Sequence, residues 1–254
     1  KGLQVVFQDS DLSGAFASAE AHSRYGTVVA ETFLAHNSLA VESFVLDGHP
    51  HLLAVSERIL PQYPNCTGIG CIVPDQLEAD LRQRISELSS KAIQLLGLTY
   101  GPVHMDMVLT DDGDPYIVDI GPRCIAGPLG WAHIPAVTGF HVVGAVFEQA
   151  LGRSIPKIEI KKRRGFFAHR YLTCDTAGVL KKVSLPASGP KNCRILSLKL
   201  DVRPGDPIRP VRDSGDRLGT VTAWGETFTA VSQGIESFAR AVRFQVREGQ
   251  PADM

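Results

Sequence analysis

The sequence predicts an α+β fold in which antiparallel strand pairs and separate helices follow one another along the chain. Two dipeptides, Asp47-Gly48 and Asp112-Gly113, each lie between segments of alternating apolar and polar residues. Asp-Gly in this setting is the strongest short-range signal for a β-hairpin, because a type I′ turn needs a positive φ at both central residues. Between residues 76 and 96, apolar residues recur at helical spacing and predict one long amphipathic helix.

The chain has the composition of an ordinary globular protein. Its 254 residues carry a formal net charge of −1, which gives no global electrostatic attraction to nucleic acid or to a membrane surface. No apolar run approaches the roughly 20 residues of a membrane-spanning helix, and no secretory signal opens the sequence. The five cysteines are scattered and lack the spacing of a metal site, which is typical of reduced thiols. We therefore expect a cytoplasmic protein that binds neither nucleic acid nor membrane.

The first of two expected units comprises residues 1–154. Its long helix has the clearest boundaries, since Asp75 and Glu78 have the spacing of a capping box and Gly97 follows the last helical residue. Pro and Gly residues favour a loop between residues 60 and 73. In chain order we expect a helix over residues 11–25, a β-type segment over 27–33, a hairpin of 39–46 with 49–56, the loop, the long helix, a hairpin of 103–109 with 115–120, and short helices over 132–138 and 141–151.

The second expected unit, residues 155–254, is a small β-rich domain with a closing helix. A basic run over residues 161–164 precedes its first strand and is interpreted as solvated surface. Asp213, Asp216 and Arg217 lie in a Pro- and Gly-rich turn, which we expect them to stabilise. No pair of acids and no nucleophile–base pair occurs at a recognisable spacing, so a second catalytic centre is not expected here. The predicted elements are strands over 163–172, 179–185, 194–200 and 218–224 and a helix over 227–246.

The hairpin around Asp112-Gly113 carries the chemically informative side chains. If Asp112 and Gly113 are the central residues of a two-residue turn, Asp106 lies directly opposite Asp119, and His104 lies opposite Gly121. Side chains alternate between the two faces of a strand, so one face of the hairpin is polar and the other is apolar. The apolar face is expected to belong to the core and to carry Met105, Met107, Val118 and Ile120.

Two facing carboxylates need an explanation. Directly paired Cβ atoms are about 4.5–5.5 Å apart, and like charges there destabilise a sheet unless a positive group lies between them or they share a proton. Arg123 would point to the same side as Asp119 if the strand stays extended. One or two carboxylates, completed by phosphates and waters, are the usual protein contribution to a Mg²⁺–nucleotide site. The pattern favours such a site, and solvated aspartates on an exposed sheet face are the alternative.

A longer segment that contains this hairpin resembles a known family. Residues 103–123, VHMDMVLTDDGDPYIVDIGPR, resemble the strand pair of the ATP-grasp superfamily of carboxylate–amine ligases, in which an H-x-acid motif, a Gly-containing turn and an acid-x-Asn-x-Arg motif follow in that order. Residues 28–34 (VVAETFL) and 41–48 (VESFVLDG) are similar to its adenine hinge and the following hairpin. Residues 1–6 resemble the end of its glycine-rich lid loop. From residue 155 onward the chain resembles the small β-domain of L-amino-acid-ligase-like and biotin-carboxylase-like members.

The resemblance implies ATP and Mg²⁺ as cofactors and assigns roles to particular residues. It implies that Asp106 and Asp119 hold Mg²⁺, and that Arg123 contacts phosphate and the intermediate derived from an acyl phosphate. The residues that it places around the nucleotide are Glu31 near the adenine amino group, Phe33 and Leu34 beside it through their backbone, and Arg58 at the phosphates.

Two departures from the family pattern bear on the function. Gly121 replaces the usual Asn, which removes one oxygen ligand, and Ser38 stands where the ribose-binding acid is expected. Dipeptide-forming members of the family tolerate small residues at the Asn position. The first departure therefore favours ligation of amino acids within the family.

The resemblance implies an ATP-dependent carboxylate–amine ligase whose small-molecule substrates are amino acids. A carboxylate would be phosphorylated by ATP, and an amine would attack the acyl phosphate. We expect the lid lysine on a segment before Lys1 or on a partner fragment, and the chain alone to be inactive. One alternative is a non-catalytic nucleotide- or metabolite-binding module descended from such a ligase. A biotin-carboxylase-type chain is a third, but its bicarbonate-site signature is not found.

Overall fold

A computed structural model of the chain describes residues 2–34, 37–61, 67–155, 158–160 and 165–247. The fold is α+β with antiparallel sheets, as the sequence predicts. The strands are β1 (Ser38–Leu46), β2 (His49–Ile59), β3 (Gly70–Val73), β4 (Gly101–Leu109), β5 (Pro115–Gly121), β6 (Phe166–Leu172), β7 (Gly178–Ser184), β8 (Arg194–Leu200), β9 (Pro207–Ile208), β10 (Gly219–Gly225) and β11 (Arg243–Arg247). The α-helices are α1 (Leu12–His22), α2 (Ala79–Leu95), α3 (Ile134–Thr138), α4 (Val142–Ala150) and α5 (Phe228–Ala241).

One sheet runs through both expected units. Its eight strands lie in the order β5-β4-β1-β2-β3-β6-β10-β8, and a second sheet has the order β11-β7-β9. The link is the antiparallel pairing of β3 with β6, in which Cys71 lies opposite His169. The two parts are therefore joined by strand hydrogen bonds, and the boundary near residue 155 stays a prediction.

Both faces of β1 are covered, which explains its nearly continuous apolar sequence. Leu39 and Val41 point towards α2, where they pack with Ile85 and Ile93. The alternate residues pack on the opposite side of the sheet, in a cluster that includes Ala40, Phe44, Leu129, Ile134, Val137 and Val142. Glu42 belongs to this second face by alternation, so a carboxylate is placed among apolar neighbours.

The segment over residues 60–73 was expected to be a loop, but it contains strand β3. Residues 62–66 of this segment lie outside the described part of the chain. Gly70 begins β3, which is hydrogen-bonded to β2 on one side and to β6 on the other. A Cβ atom at Gly70 would lie 2.4 Å from the backbone oxygen of His169. The close approach of two strands requires glycine here, so the Gly-rich composition that favours a loop instead marks a central strand.

Three further expectations for local structure are wrong. Residues 27–33 form no strand. The long helix begins at Ala79, and the Asp75 carboxylate does not cap it but accepts hydrogen bonds from the Leu77 backbone N–H and from Arg82, at 2.9 and 2.5 Å. The closing helix ends at Ala241, because the alternating pattern of residues 243–247 buries Phe244 and Val246 against β7.

The remaining sequence expectations concern single features. Cys71, Cys124, Cys174 and Cys193 are free thiols, whereas Cys66 and the basic run 161–164 lie outside the described residues. No single described helix is long and apolar enough to cross a membrane, and the one pair that passes on length and composition, Leu129–Thr138 with Val142–Ala150, is bent by 105°.

Candidate functional site

The β4–β5 hairpin positions the two candidate metal ligands through a turn of unexpected type. Gly113 has φ +77°, but Asp112 does not have a positive φ. The Thr110 N–H donates to the Asp114 carbonyl, the Gly113 N–H donates to the Thr110 carbonyl, and Leu109 pairs with Pro115. This is a three-residue loop with glycine in the left-handed position, and not the type I′ turn that the sequence predicts. The type I′ turn is formed instead by Asp47 and Gly48, with φ angles of 51° and 78°.

A β-bulge restores the predicted register. Met107 pairs with Ile117, but the next residue, Asp106, pairs with Asp119, so Val118 is an extra residue in β5. The three-residue loop shifts the pairing register of the two strands by one residue, and the bulge shifts it back by one residue. Asp106 therefore lies opposite Asp119 as predicted, and His104 lies opposite Gly121. Val118 is 49% exposed, so its predicted place in the core is wrong, whereas Met105 and Met107 are fully buried.

Asp106 belongs to a partly buried network of charged side chains. Glu42 on β1 pairs directly with His104 on β4, and the two side chains are 4% and 1% exposed. The His104 ring is hydrogen-bonded through Nδ1 to Glu42 and lies 3.1 Å from Asp106 Oδ1 through Nε2. Arg58 on β2 donates from Nη2 to the same oxygen of Asp106. Four charged side chains from β1, β2 and β4 thus form one chain of contacts.

The carboxylates on both sides favour the protonated form of His104. Burial alone would lower its pKa, but the hydrogen bonds to Asp106 and Glu42 outweigh burial and raise the pKa of His104 to about 9. Burial also raises the pKa of Glu42, against the opposing effect of His104. For Asp106, the His104 hydrogen bond and the nearby Arg58 outweigh burial and lower the pKa. Asp106 is accordingly an ionised carboxylate with two cationic neighbours.

The arrangement fits a Mg²⁺ ion that is also bound to phosphate. Oδ1 of Asp106 is engaged by Arg58 and His104, but Oδ2 has no partner among the described residues. Asp119 is exposed and likewise has no ion-pair partner there. In the described part of the chain no group of three or more His, Cys, Asp or Glu side chains could hold a metal ion by itself. Mg²⁺ is commonly held by one or two carboxylates plus substrate phosphates, and this hairpin offers that number.

The hairpin forms one wall of a cleft with a volume of about 230 Å³. That volume is below the roughly 300–1,000 Å³ of typical small-molecule pockets, so it suits a phosphate group or a small polar substrate better than a whole nucleotide. The lining contains residues from both sequence units: Arg58, Gly68, Gly70, Cys71, His104, Asp106, Arg123, Ile125, Ala126, His169, Tyr171 and Arg217.

Arg123 reaches the cleft from the segment just after β5. Its backbone N–H donates to the Gly121 carbonyl at 2.8 Å, and Nη1 donates to the Cys124 carbonyl at 3.3 Å. A Cβ atom at Gly121 would lie 3.4 Å from Arg123 Nε, an ordinary van der Waals contact, so position 121 lies directly beside the Arg123 side chain.

The predicted site residues divide into three groups. Arg58, Asp106 and Arg123 lie together in the cleft lining. Asp119 faces Asp106 across the hairpin but is exposed and outside the lining. The adenine-hinge residues are not brought to the cleft: Glu31, Phe33 and Leu34 lie in an irregular segment, and the Phe33 ring packs edge-on against Phe7 at 6.1 Å.

Sequence reasoning missed the residues of the opposite wall. Asp213 and Asp216 do stabilise their turn, since each accepts backbone hydrogen bonds within it. Arg217 instead leaves the turn, stacks on the Tyr171 ring at 3.9 Å and donates to the Gly68 carbonyl at 2.7 Å. The β3–β6 pairing alone brings these residues to β4, and no local pattern reports it. Glu42, in contrast, has a local signal: it is the one charge within the apolar run of β1.

Two protein families match the chain, one over its first part and one over its second part. Residues 5–131 match the family described as ATP-grasp domain, and residues 170–247 match the family described as L-amino acid ligase C-terminal domain 2. An uncharacterized protein, y4rH, from Sinorhizobium fredii is 27% identical over 178 residues, which are 68% of this chain and 35% of that protein.

Solved structures show the same fold at low sequence identity. An L-amino acid ligase from Bacillus licheniformis has a TM-score of 0.81 and 19% identity, with 96% of this chain covered. A phosphoribosylglycinamide synthetase from Anaerococcus prevotii has a TM-score of 0.72, 17% identity and 94% coverage. The biotin carboxylase domain of a Hydrogenobacter thermophilus 2-oxoglutarate carboxylase, solved with MgADP and bicarbonate, has a TM-score of 0.68, 15% identity and 93% coverage. This chain spans 61%, 61% and 52% of those three chains.

Proposed function

Because the chain belongs to the ATP-grasp family, we propose that it carries the phosphate and metal side of an ATP-dependent carboxylate–amine ligase. One observation carries the proposal: Asp106 faces Asp119 on a hairpin whose polar face lines a cleft with Arg58 and Arg123. Asp106, Arg58 and Arg123 in the cleft, with Asp119 beside it on the hairpin, match the needs of a metal-bound polyphosphate.

The proposed reaction has two steps. First, an oxygen of the substrate carboxylate attacks the γ-phosphorus of ATP, ADP leaves, and an acyl phosphate forms. Second, the nitrogen of an amine attacks the acyl carbon, inorganic phosphate leaves, and the nitrogen loses a proton as the amide forms. Arg123 offers a planar fork of N–H donors that binds the phosphoryl oxygens and the anionic oxygen of the second step. Mg²⁺, when held by Asp106 and Asp119, supplies neutralisation of the phosphoryl charge.

The buried network serves to fix Asp106. Arg58 and His104 bind one carboxylate oxygen, so the other oxygen keeps its direction towards the cleft. Glu42 in turn holds the His104 ring from the far side. A carboxylate restrained in this way loses less entropy when it binds a metal ion, and Arg58 remains beside it to meet a phosphate oxygen.

Amino acids are the substrates that we propose. The similarity of residues 170–247 to the C-terminal domain of L-amino acid ligases supports this subclass, as does the small residue Gly121. We further propose that Glu31, Phe33 and Leu34 contact adenine once a lid sheet from the rest of such an enzyme is present. A reaction between ATP and small metabolites also agrees with a cytoplasmic location.

A second candidate function rests on one specific contact. Asp106 already binds Arg58 and His104, and a module that no longer needed the metal could keep this pairing as a purely structural one. Such a protein would bind a nucleotide or another anionic metabolite without turnover.

Turnover of the full-length gene product separates the two functions. Phosphate release should be measured with ATP and Mg²⁺ across pairs of amino acids, with Arg123→Lys as the test variant. The lysine keeps the charge and loses the fork, so we expect turnover to fall by about 10²-fold. Arg240→Lys is the matched control, because Arg240 is exposed on α5. Nucleotide binding without amino-acid-dependent phosphate release would support the non-catalytic module instead.

A further inference from the structure

The part of the chain after residue 165 contributes to the cleft a guanidinium group, that of Arg217, to which the proposed phosphate and metal site assigns no role. His169, Tyr171 and Arg217 all line the cleft from this part of the chain. The hairpin wall holds the proposed metal and phosphate ligands. These later residues therefore share the cleft in which the acyl phosphate would form.

Two arginines in the cleft form no ion pair with a described residue. Arg58 is paired with Asp106, and His104 lies between Asp106 and Glu42. Arg123 and Arg217 have no carboxylate partner among the described residues, and each donates only to a backbone carbonyl. Arg123 lies on the hairpin side, where the phosphoryl group is expected. Arg217 lines the same cleft from the later part of the chain, and the charge of Asp213 acts on it only against a larger effect of burial.

Arg217 is held in a fixed position. Its guanidinium carbon lies 3.9 Å from the centre of the Tyr171 ring, and Nη2 donates to the Gly68 carbonyl at 2.7 Å. The Tyr171 hydroxyl in turn abuts Gly127, where an added Cβ atom would lie 2.6 Å from it. Nε of Arg217 is buried without a hydrogen-bond partner in the part of the chain that the structure describes, and burial lowers the pKa of this guanidinium. A half-buried cation that is held in a fixed orientation, with no carboxylate hydrogen-bonded to it there, is suited to an anionic ligand.

We propose that Arg217 binds the carboxylate of the amine substrate, and thereby selects acceptors that are amino acids over simple amines; this inference rests on the proposed function. The donor carboxylate must lie at the hairpin wall, because it reacts with the phosphoryl group there. A second carboxylate therefore belongs to the other substrate. Binding it at Arg217 directs the amino group of the acceptor across the cleft towards the acyl carbon.

The neutral side chain beside Arg217 suits this arrangement. Burial lowers the pKa of His169 to about 3, with the positive charges of Arg217 and Arg58 acting in the same direction, so the ring stays neutral. Among the lining residues His169, Tyr171 and Arg217, Arg217 is thus the cation that is available to the acceptor carboxylate.

The test compares an amino acid with its carboxamide as acceptor in the full-length gene product. L-Alanine and L-alaninamide differ only at the carboxylate, and KM for each is measured with a fixed donor acid and saturating Mg²⁺ and ATP. A charge-assisted hydrogen-bonded pair contributes about 10- to 100-fold in affinity. In Arg217→Met we expect KM for L-alanine to rise by that factor, and KM for L-alaninamide and for ATP to stay unchanged. Arg217→Lys should give an intermediate rise.

Two controls separate recognition from structural damage. Arg240→Met removes an exposed arginine of α5 and should leave both KM values unchanged. Tyr171→Phe keeps the ring below Arg217 and should keep the preference for L-alanine. An equal loss for both acceptors in Arg217→Met, or a rise in KM for ATP or for the donor acid, would overturn the inference. A wild-type protein that ligates no amino acids would overturn the proposed function itself.

Discussion

His104 Nε2 lies 3.1 Å from Asp106 Oδ1, and His104 Nδ1 is hydrogen-bonded to Glu42. The ring therefore lies between two carboxylates, which favour the protonated imidazolium, although Arg58 Nη2 also lies 3.3 Å from Nε2. The ring is 1% exposed, so solvent cannot replace either contact. The folded state of the protein thus holds a proton that an unfolded chain releases near pH 6.5.

This proton predicts how stability depends on pH above neutrality. Since the pKa of His104 is raised to about 9, the native state binds more protons than the unfolded state between pH 6.5 and 9, and the free energy of unfolding falls as pH rises through that window. We expect a loss of about 2–3 kcal/mol, because one pKa unit corresponds to about 1.4 kcal/mol. Urea unfolding at pH 6.5 and pH 9 should show it in the wild type and not in His104→Gln.

The two buried neutral histidines, unlike His104, should lower the free energy of unfolding as the pH falls. Burial lowers the pKa of His133 to about 4 and of His169 to about 3, so the unfolded chain binds protons that the native state rejects once pH falls below 6.5. Between pH 7 and pH 5 each should reduce the free energy of unfolding by about 2 kcal/mol. His169→Gln should flatten this dependence, whereas the exposed residue His141, changed to Gln, should leave it as in the wild type.

The two aspartates should differ in what their loss affects. Asp119→Asn removes an exposed carboxylate, so we expect unchanged stability and a rise of about 10- to 100-fold in the Mg²⁺ concentration needed for half-maximal turnover. Asp106→Asn should show the same metal effect and also lose about 2 kcal/mol of stability, because Arg58 and His104 then face a neutral amide and not a carboxylate. Asp112→Asn, in the exposed turn, is the control for both. A wild-type Mg²⁺ dependence in Asp119→Asn would contradict its role as a ligand.

The sequence predicts the site only where short-range signals determine it. The Asp-Gly turn and the alternation along β4 predict that Asp106 lies opposite Asp119, although the expected turn type is wrong. Arg217 and Tyr171 could not be predicted, because they reach the cleft through the pairing of β3 with β6, which joins segments about 100 residues apart. The Gly-rich sequence of β3 conceals that strand, since glycine is needed there for close packing and not for a turn.

The hairpin also shows a correct prediction that rests on a wrong premise. A two-residue turn was expected at Asp112-Gly113, with a regular ladder behind it. The structure has a three-residue loop and a bulge at Val118, and each shifts the register by one residue in opposite senses. Residue pattern alone cannot distinguish these hairpins, because Gly113 takes a positive φ in both.

The bulge at Val118 helps to determine the face of the sheet to which the Asp119 side chain points, and this can be tested. Deleting Val118 should give a regular ladder in which Asp106 still pairs with Asp119, so the Mg²⁺ dependence of turnover should be kept. Inserting one alanine between Val118 and Asp119 should move Asp119 opposite Met105, on the buried face, since a shift of one residue turns every side chain over. An unpaired carboxylate there is costly, so we expect a lower urea midpoint and loss of the Mg²⁺ response. The Mg²⁺ dependence of turnover should be measured for the deletion and the insertion variant side by side. Equal Mg²⁺ dependence in the two variants would show that Mg²⁺ binding does not require the Asp119 side chain on the same face as Asp106.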